Sequence, residues 1–195
     1  MSDFSVLDLF LETGAYLRGH FRLTSGLHSA EYLQCAKVLA FPKYAERLGS
    51  ELASKLRTIT GEAPDIVVSP AMGGIIIGHE VARAFDVPAI FTERDGNANE
   101  MVLRRGFELQ PGVKIIVVED VITTGGSTRE VVRAVEQMGG VALTAGSIID
   151  RSGGSAEVGV PRVALETMHP ITYDPNNCPL CREGIPVVKP GSRKN

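Results

Sequence analysis

Ile115-Ile116-Val117-Val118-Glu119-Asp120-Val121-Ile122-Thr123-Thr124-Gly125-Gly126-Ser127-Thr128 joins two kinds of periodicity in one stretch. Four β-branched apolar residues in a row predict a strand buried on both faces, and two adjacent carboxylates stand at its end. Small hydroxyl and glycine residues follow, and Thr128 to Met138 then places Val131, Val132, Val135 and Met138 on one inward helical face. The loop has the chemistry of an anion cradle. Glycines let backbone N–H groups approach an oxyanion, hydroxyls add donors, and a helix N-terminus contributes partial positive charge. Glu119 and Asp120 are acceptors suited to sugar hydroxyls, so a ribose phosphate would engage both halves. The stretch lacks the Gly-Lys-Ser/Thr ending of a Walker A loop and the spacing of a dinucleotide fingerprint.

The same alternation extends to either side. Strands are predicted at Asp65 to Ser69, Pro88 to Thr92, Lys114 to Glu119 and Val141 to Asp150, with helices at Gly74 to Phe85 and Thr128 to Met138. Continuously apolar strands separated by helices imply an α/β fold, a mainly parallel sheet covered on both faces with right-handed crossovers. Ligands bind such sheets beyond the carboxyl ends of the strands, so the loops after Val68, Phe91, Val118 and Ile149 should share one functional edge. Upstream, Ser5 and Asp8 form a capping pattern for a helix to about Thr13, and short strands are expected at His20 to Leu23 and Glu31 to Gln34. Pro42 opens a helix whose Tyr44, Ala45, Leu48, Leu52 and Leu56 face inward. Pro175 to Asn195 reads as an irregular arm.

Composition sets the class. The 195 residues carry 20 Lys and Arg against 23 Asp and Glu, a net charge of −3, and are 44% hydrophobic, which predicts one soluble domain over 1–195. Disordered, collagen-like and coiled-coil chains are excluded, no apolar run is long enough for a membrane span, and no basic footprint points to nucleic acid. Met1 to Ala15 carries Asp3, Asp8 and Glu12 instead of a secretory pattern, so the expected location is the cytoplasm. The cysteines number 3, an odd count that predicts reduced thiols. Cys178-Pro179-Leu180-Cys181 lacks a second CxxC, and His169 is the only histidine near it in sequence. The expectation there is a packed thiol pair with no metal, and for His20, His28 and His79 turn or helix-surface positions.

The central stretch resembles the phosphoribosyl pyrophosphate (PRPP) signature of type I phosphoribosyltransferases. That resemblance implies that Glu119 and Asp120 hold the ribose hydroxyls, that Thr123, Thr124, Gly125, Gly126 and Ser127 hold the 5′-phosphate, and that Val121 and Ile122 belong to the same PRPP-binding run. Val67-Val68-Ser69-Pro70-Ala71-Met72-Gly73-Gly74-Ile75 is similar to the family's pyrophosphate loop. Phe91 to Glu100 with Leu103 to Phe107 occupies the place of its flexible catalytic loop, and Arg94 matches the lid cation best, with Arg104 and Arg105 in reserve. Phe21 to Ser29 with Tyr32, and Ile149-Asp150-Arg151, resemble the orotate-using branch of the family. The implied activity is orotate phosphoribosyl transfer, with Arg151 and Thr123 at orotate, Arg94 and Asp120 catalytic, and Mg²⁺ carried by PRPP. A guanidinium fork fits a planar carboxylate, which orotate has and uracil and adenine lack. A homodimer sharing its lid and a small hood from about residues 1–40 are also implied. The branch's usual pyrophosphate-loop lysine is replaced by Gly73 beside Met72, and its orotate-segment lysine by Thr24. A purine or uracil phosphoribosyltransferase and a PRPP-sensing regulator that binds nucleic acid remain alternatives at this point.

Overall fold

The computed structural model describes residues 5–23, 25–96 and 100–190. The chain forms two compact units, one from the described residues of Met1–Val38 and His169–Asn195, the other from Leu39–Met168. Helix α1 (Val6–Glu12) begins with the Asp8 N–H donating to the Ser5 hydroxyl at 3.2 Å, as the capping pattern predicts. Strands β1 (Tyr16–Arg22) and β2 (His28–Leu33) follow, and the short helix α2 (Cys35–Leu39) leads out of this unit. Both strands start earlier than the sequence predicts: the pairing of Tyr16 with Leu33 extends β1 back through Arg18 and Gly19, where apolar alternation is weak, and the pairing of Arg22 with His28 carries β2 back to His28.

The larger unit continues with α3 (Pro42–Thr60), β3 (Ile66–Pro70), α4 (Gly74–Phe85), β4 (Ala89–Arg94), β5 (Met101–Leu103), β6 (Lys114–Ile122), α5 (Gly126–Gln137), β7 (Val141–Asp150) and β8 (Arg162–Thr167). Its sheet runs β5-β4-β3-β6-β7-β8, with every neighbouring pair parallel except the β4–β5 hairpin. The ends of β3, β4, β6 and β7 therefore share one edge, as expected.

Alternation along the strands assigns the two faces. Val68, Val117 and Ala145 pack with Val131, Val132 and Val135 of α5, whereas a Cβ at Gly146 would meet Leu52 and Leu56 of α3. Adjacent residues of a strand point to opposite faces, so α5 and α3 cover opposite sides. The α3 stripe of Tyr44, Ala45, Leu48, Leu52 and Leu56 is buried as its spacing predicts. Met138 differs: it caps the end of α5 and is 41% exposed, because the helix stops one residue short of it.

In the smaller unit, β9 (Thr172–Tyr173) adds to β2, and a 3₁₀ turn at Pro175–Asn177 precedes the single-turn α6 (Pro179–Arg182). His79 is exposed on α4 as expected, but His20 and His28 are not turn residues. They lie on β1 and β2, are 2% and 6% exposed, and face Cys178 and Cys181. Sequence distance hides this meeting, which depends on the hairpin register and on the return of the C-terminal segment.

Candidate active site

Strand β6 runs on to Ile122, so Glu119 and Asp120 are set into the sheet edge instead of following it, and α5 starts at Gly126, earlier than its apolar stripe implies. Gly125 is the N-cap, with φ 75°, and a Cβ there would lie 2.9 Å from Val158 Cγ1. Only glycine fits both the left-handed backbone and that contact. No side chain caps α5, so its first-turn N–H groups are available to an anion. Thr123 and Thr124 are exposed beside them, and Ser127 is half-buried.

A second terminus of the same kind lies one strand away. Gly73 is the N-cap of α4, again without a side-chain cap, directly after β3, which pairs with β6. A Cβ at Gly73 would stand 2.6 and 2.7 Å from the two Asp120 carboxylate oxygens. Two helix N-termini thus flank a pair of carboxylates, and the Asp120 carboxylate touches the backbone of the neighbouring loop. Such a site can hold two phosphate groups with a polyhydroxylated unit between them.

The carboxylates are poised unusually. Burial pushes the Glu119 carboxyl up to about 7, against a hydrogen bond donated by the Thr128 hydroxyl that favours its ionised form, with Asp120 and Glu130 adding repulsion. Burial also raises Asp120, opposed by the Val121 N–H, which donates to its Oδ1 at 2.9 Å. With its pKa raised on folding, Glu119 contributes stability that is fully present below about 4.5 and is lost as the pH rises through about 7. Glu119→Gln is therefore expected to melt above the parent at pH 8, by at most roughly 3 kcal/mol, with the advantage gone near pH 4.5. Thermal melts of both proteins across this range check it; equal melting temperatures at pH 8 would show that the free site carries no buried charge at Glu119.

Asp150 shows the opposite balance. Burial raises it, but hydrogen bonds from Ser152 and Arg162 outweigh burial and hold it below the usual range. Arg162 Nη1 donates to Asp150 Oδ2 at 2.7 Å, and Asp150 also accepts from the N–H groups of Ser152 and Gly154. This pins the loop that starts at Arg151, whose own N–H donates to the Ile122 carbonyl at 2.8 Å. Arg151 thereby stands next to the end of β6. Arg162 is a positioning residue that the sequence reading did not single out; a lone arginine between Pro161 and Val163 gives no signal of its partner.

Arg94 ends β4, paired opposite Met101, and its Nη2 lies 2.7 Å from Glu130 Oε2 of α5. Arg105 makes two hydrogen bonds to Glu93, at 2.7 and 3.1 Å. Asn97, Ala98 and Asn99, the tip of the expected lid, lie outside the described residues, as does Thr24.

Comparison with known proteins matches the description "Phosphoribosyl transferase domain" to residues 38–158. A protein of Desulforamulus reducens named orotate phosphoribosyltransferase is 51% identical over 194 residues, which covers 100% of this chain and 99% of the relative. Another of that name, from Carboxydothermus hydrogenoformans, is 55% identical over 186 residues, covering 95% and 96%. The chain belongs to the orotate phosphoribosyltransferase family. The orotate phosphoribosyltransferase structure from Aeropyrum pernix shares the fold, with a TM-score of 0.69 at 23% identity over 84% of this chain and 94% of that one. At Gly73, where the better-known branch of orotate phosphoribosyltransferases has a lysine, a side chain would meet the Asp120 carboxylate.

Proposed function

We propose that the chain joins orotate to the anomeric carbon of PRPP, forming orotidine 5′-monophosphate as the carbon–oxygen bond to diphosphate breaks. It is a pentosyltransferase of pyrimidine nucleotide synthesis. The observation that carries the reading is the uncapped Thr123–Ser127 turn beside Glu119 and Asp120, a phosphate cradle adjoining two hydroxyl acceptors.

In this reading the α5 terminus holds the 5′-phosphate through Thr123, Thr124, Gly125, Gly126 and Ser127, with Val121 and Ile122 supporting the turn. Glu119 and Asp120 accept from the ribose hydroxyls, and Asp120 acts closest to the reacting carbon. The α4 terminus receives the diphosphate. Positive charge develops on the sugar as the bond loosens, so the site binds charge and supplies no covalent nucleophile. The carboxylates are hard oxygen donors that fit Mg²⁺ travelling with PRPP, and the ion would neutralise the departing diphosphate. Arg151 meets the orotate carboxylate beside Thr123, and Arg94 turns from Glu130 to the diphosphate when the segment after β4 closes over PRPP. We assign the protein to the cytoplasm as a homodimer whose lid serves the neighbouring site.

A spectrophotometric orotate assay tests the reading. Orotate should disappear only with PRPP and Mg²⁺ both present, and Arg151→Ala should raise the Michaelis constant for orotate at least tenfold more than that for PRPP, as expected for a lost charged hydrogen bond worth about 1.5–3 kcal/mol. Robust turnover of adenine or uracil in place of orotate would sink the assignment.

A further inference from the structure

We propose that His20, His28, Cys178 and Cys181 bind one Zn²⁺ ion as a structural site within the smaller unit. The four ligand atoms lie within 4.8 Å of one another. Cys178 Sγ is 3.6 Å and Cys181 Sγ 3.8 Å from His20 Nε2, and Cys181 Sγ is 3.5 Å from His28 Nδ1. A tetrahedral zinc with Zn–S about 2.3 Å and Zn–N about 2.0–2.1 Å sets N···S edges near 3.6 Å. The His20 Nε2 to His28 Nδ1 distance of 2.8 Å is shorter than a zinc tetrahedron's edge, so one ring must draw back by about half an ångström to admit the ion.

The surroundings favour ligation. His20 Nδ1 sits 2.7 Å from the Ile185 carbonyl, and that oxygen can only accept. The proton is thereby fixed on Nδ1, and the Nε2 lone pair is turned toward the other three groups. Metal-binding histidines are oriented in this way by a partner on the second ring nitrogen. His20, His28 and Cys178 are all at most 6% exposed, with Cys181 at the rim. Two imidazoles and two thiols match the ligand set of closed zinc sites; calcium and magnesium require oxygen, and an iron–sulfur cluster requires four thiolates or two with two histidines on a larger frame.

The fold gives the ion a task. His20 and His28 come from the β1–β2 hairpin, whereas Cys178 caps α6 and Cys181 lies within it, so the ion would cross-link the hairpin to the C-terminal segment. That segment also reaches β1 through the pairing of Phe21 with Val188 and the contact of His20 with the Ile185 carbonyl. A unit this small has a modest apolar core, and such units gain folding free energy from a metal.

Elemental analysis of protein purified under reducing conditions without chelator should find about one zinc per chain. Cys178→Ser and His28→Asn should each reduce zinc content at least tenfold after dialysis. Because either variant could unfold the unit, the unaltered chain, stripped and reloaded with Co²⁺, provides a second reading: intense ligand-field bands in the red and a thiolate-to-cobalt charge-transfer band in the near ultraviolet. Zinc below a tenth of an equivalent with no tetrahedral cobalt spectrum would overturn the proposal, as would full zinc content in the Cys178→Ser, Cys181→Ser double variant. None of these readouts depends on orotate turnover.

Discussion

Asp120→Asn is expected to lower kcat/KM for PRPP by roughly 10- to 150-fold, the loss of a charged hydrogen bond worth about 1.5–3 kcal/mol, while the melting temperature of the free protein at pH 8 rises or holds. The two effects share one cause. Burial in the sheet edge already disfavours the ionised carboxyl, so the free protein loses nothing when the charge is removed. The substrate does lose, since an amide offers sugar hydroxyls one poorer acceptor. Steady-state kinetics with PRPP varied, paired with thermal melts, separate the outcomes. Unchanged PRPP kinetics in a folded variant would refute the ribose role, and a fall in stability of the same size as the fall in activity would mark Asp120 as structural.

Gly73→Lys, which returns the lysine found in the better-known branch of the family, is expected to reduce turnover by roughly 5- to 150-fold. A Cβ placed 2.6 Å from Asp120 Oδ1 cannot be accommodated unless the carboxylate or the loop after β3 moves, and overpacking of that kind costs about 1–3 kcal/mol before any ligand is bound. The added ammonium would also be drawn to Asp120 and Glu119, tying up both hydroxyl acceptors. Gly73→Ala isolates the steric part, because it adds the Cβ without the charge, and should retain most of the loss. Activity at or above the parent level in Gly73→Lys would show that the loop relaxes freely and that glycine here has no steric role.

The parallel sheet was legible because β3, β4, β6 and β7 each carry a short apolar run, such as Ile115 to Val118 in β6, and burial on both faces requires no alternation. The turn proposed to hold phosphate was legible as a glycine-rich helix start because its hydroxyls and glycines are contiguous from Thr123 to Ser127. Strand β8, with Arg162 and Glu166 among its six residues, was not, and neither was the three-residue β5. What sequence could not convey was convergence across long separations. Asp150 and Arg162 meet through two adjacent strands, Gly73 and Asp120 through the β3–β6 pairing, and His20 and Cys178 through the return of the chain's end. The exposure of Thr123 and Thr124 likewise follows from where α5 begins, which the glycines and not the apolar stripe determine.

The bare N-termini of α4 and α5 bear on how such an enzyme changes over generations. Their donors are main-chain amides, which only a change to proline removes, so in the proposed reading the hold on a twofold-phosphorylated sugar is inherited through loop shape and a few glycines. Recognition of the accepting ring, in that same reading, is concentrated in side chains such as Arg151, which single substitutions alter at will. A lineage with this architecture is free to exchange one nitrogenous acceptor for another while keeping its sugar donor.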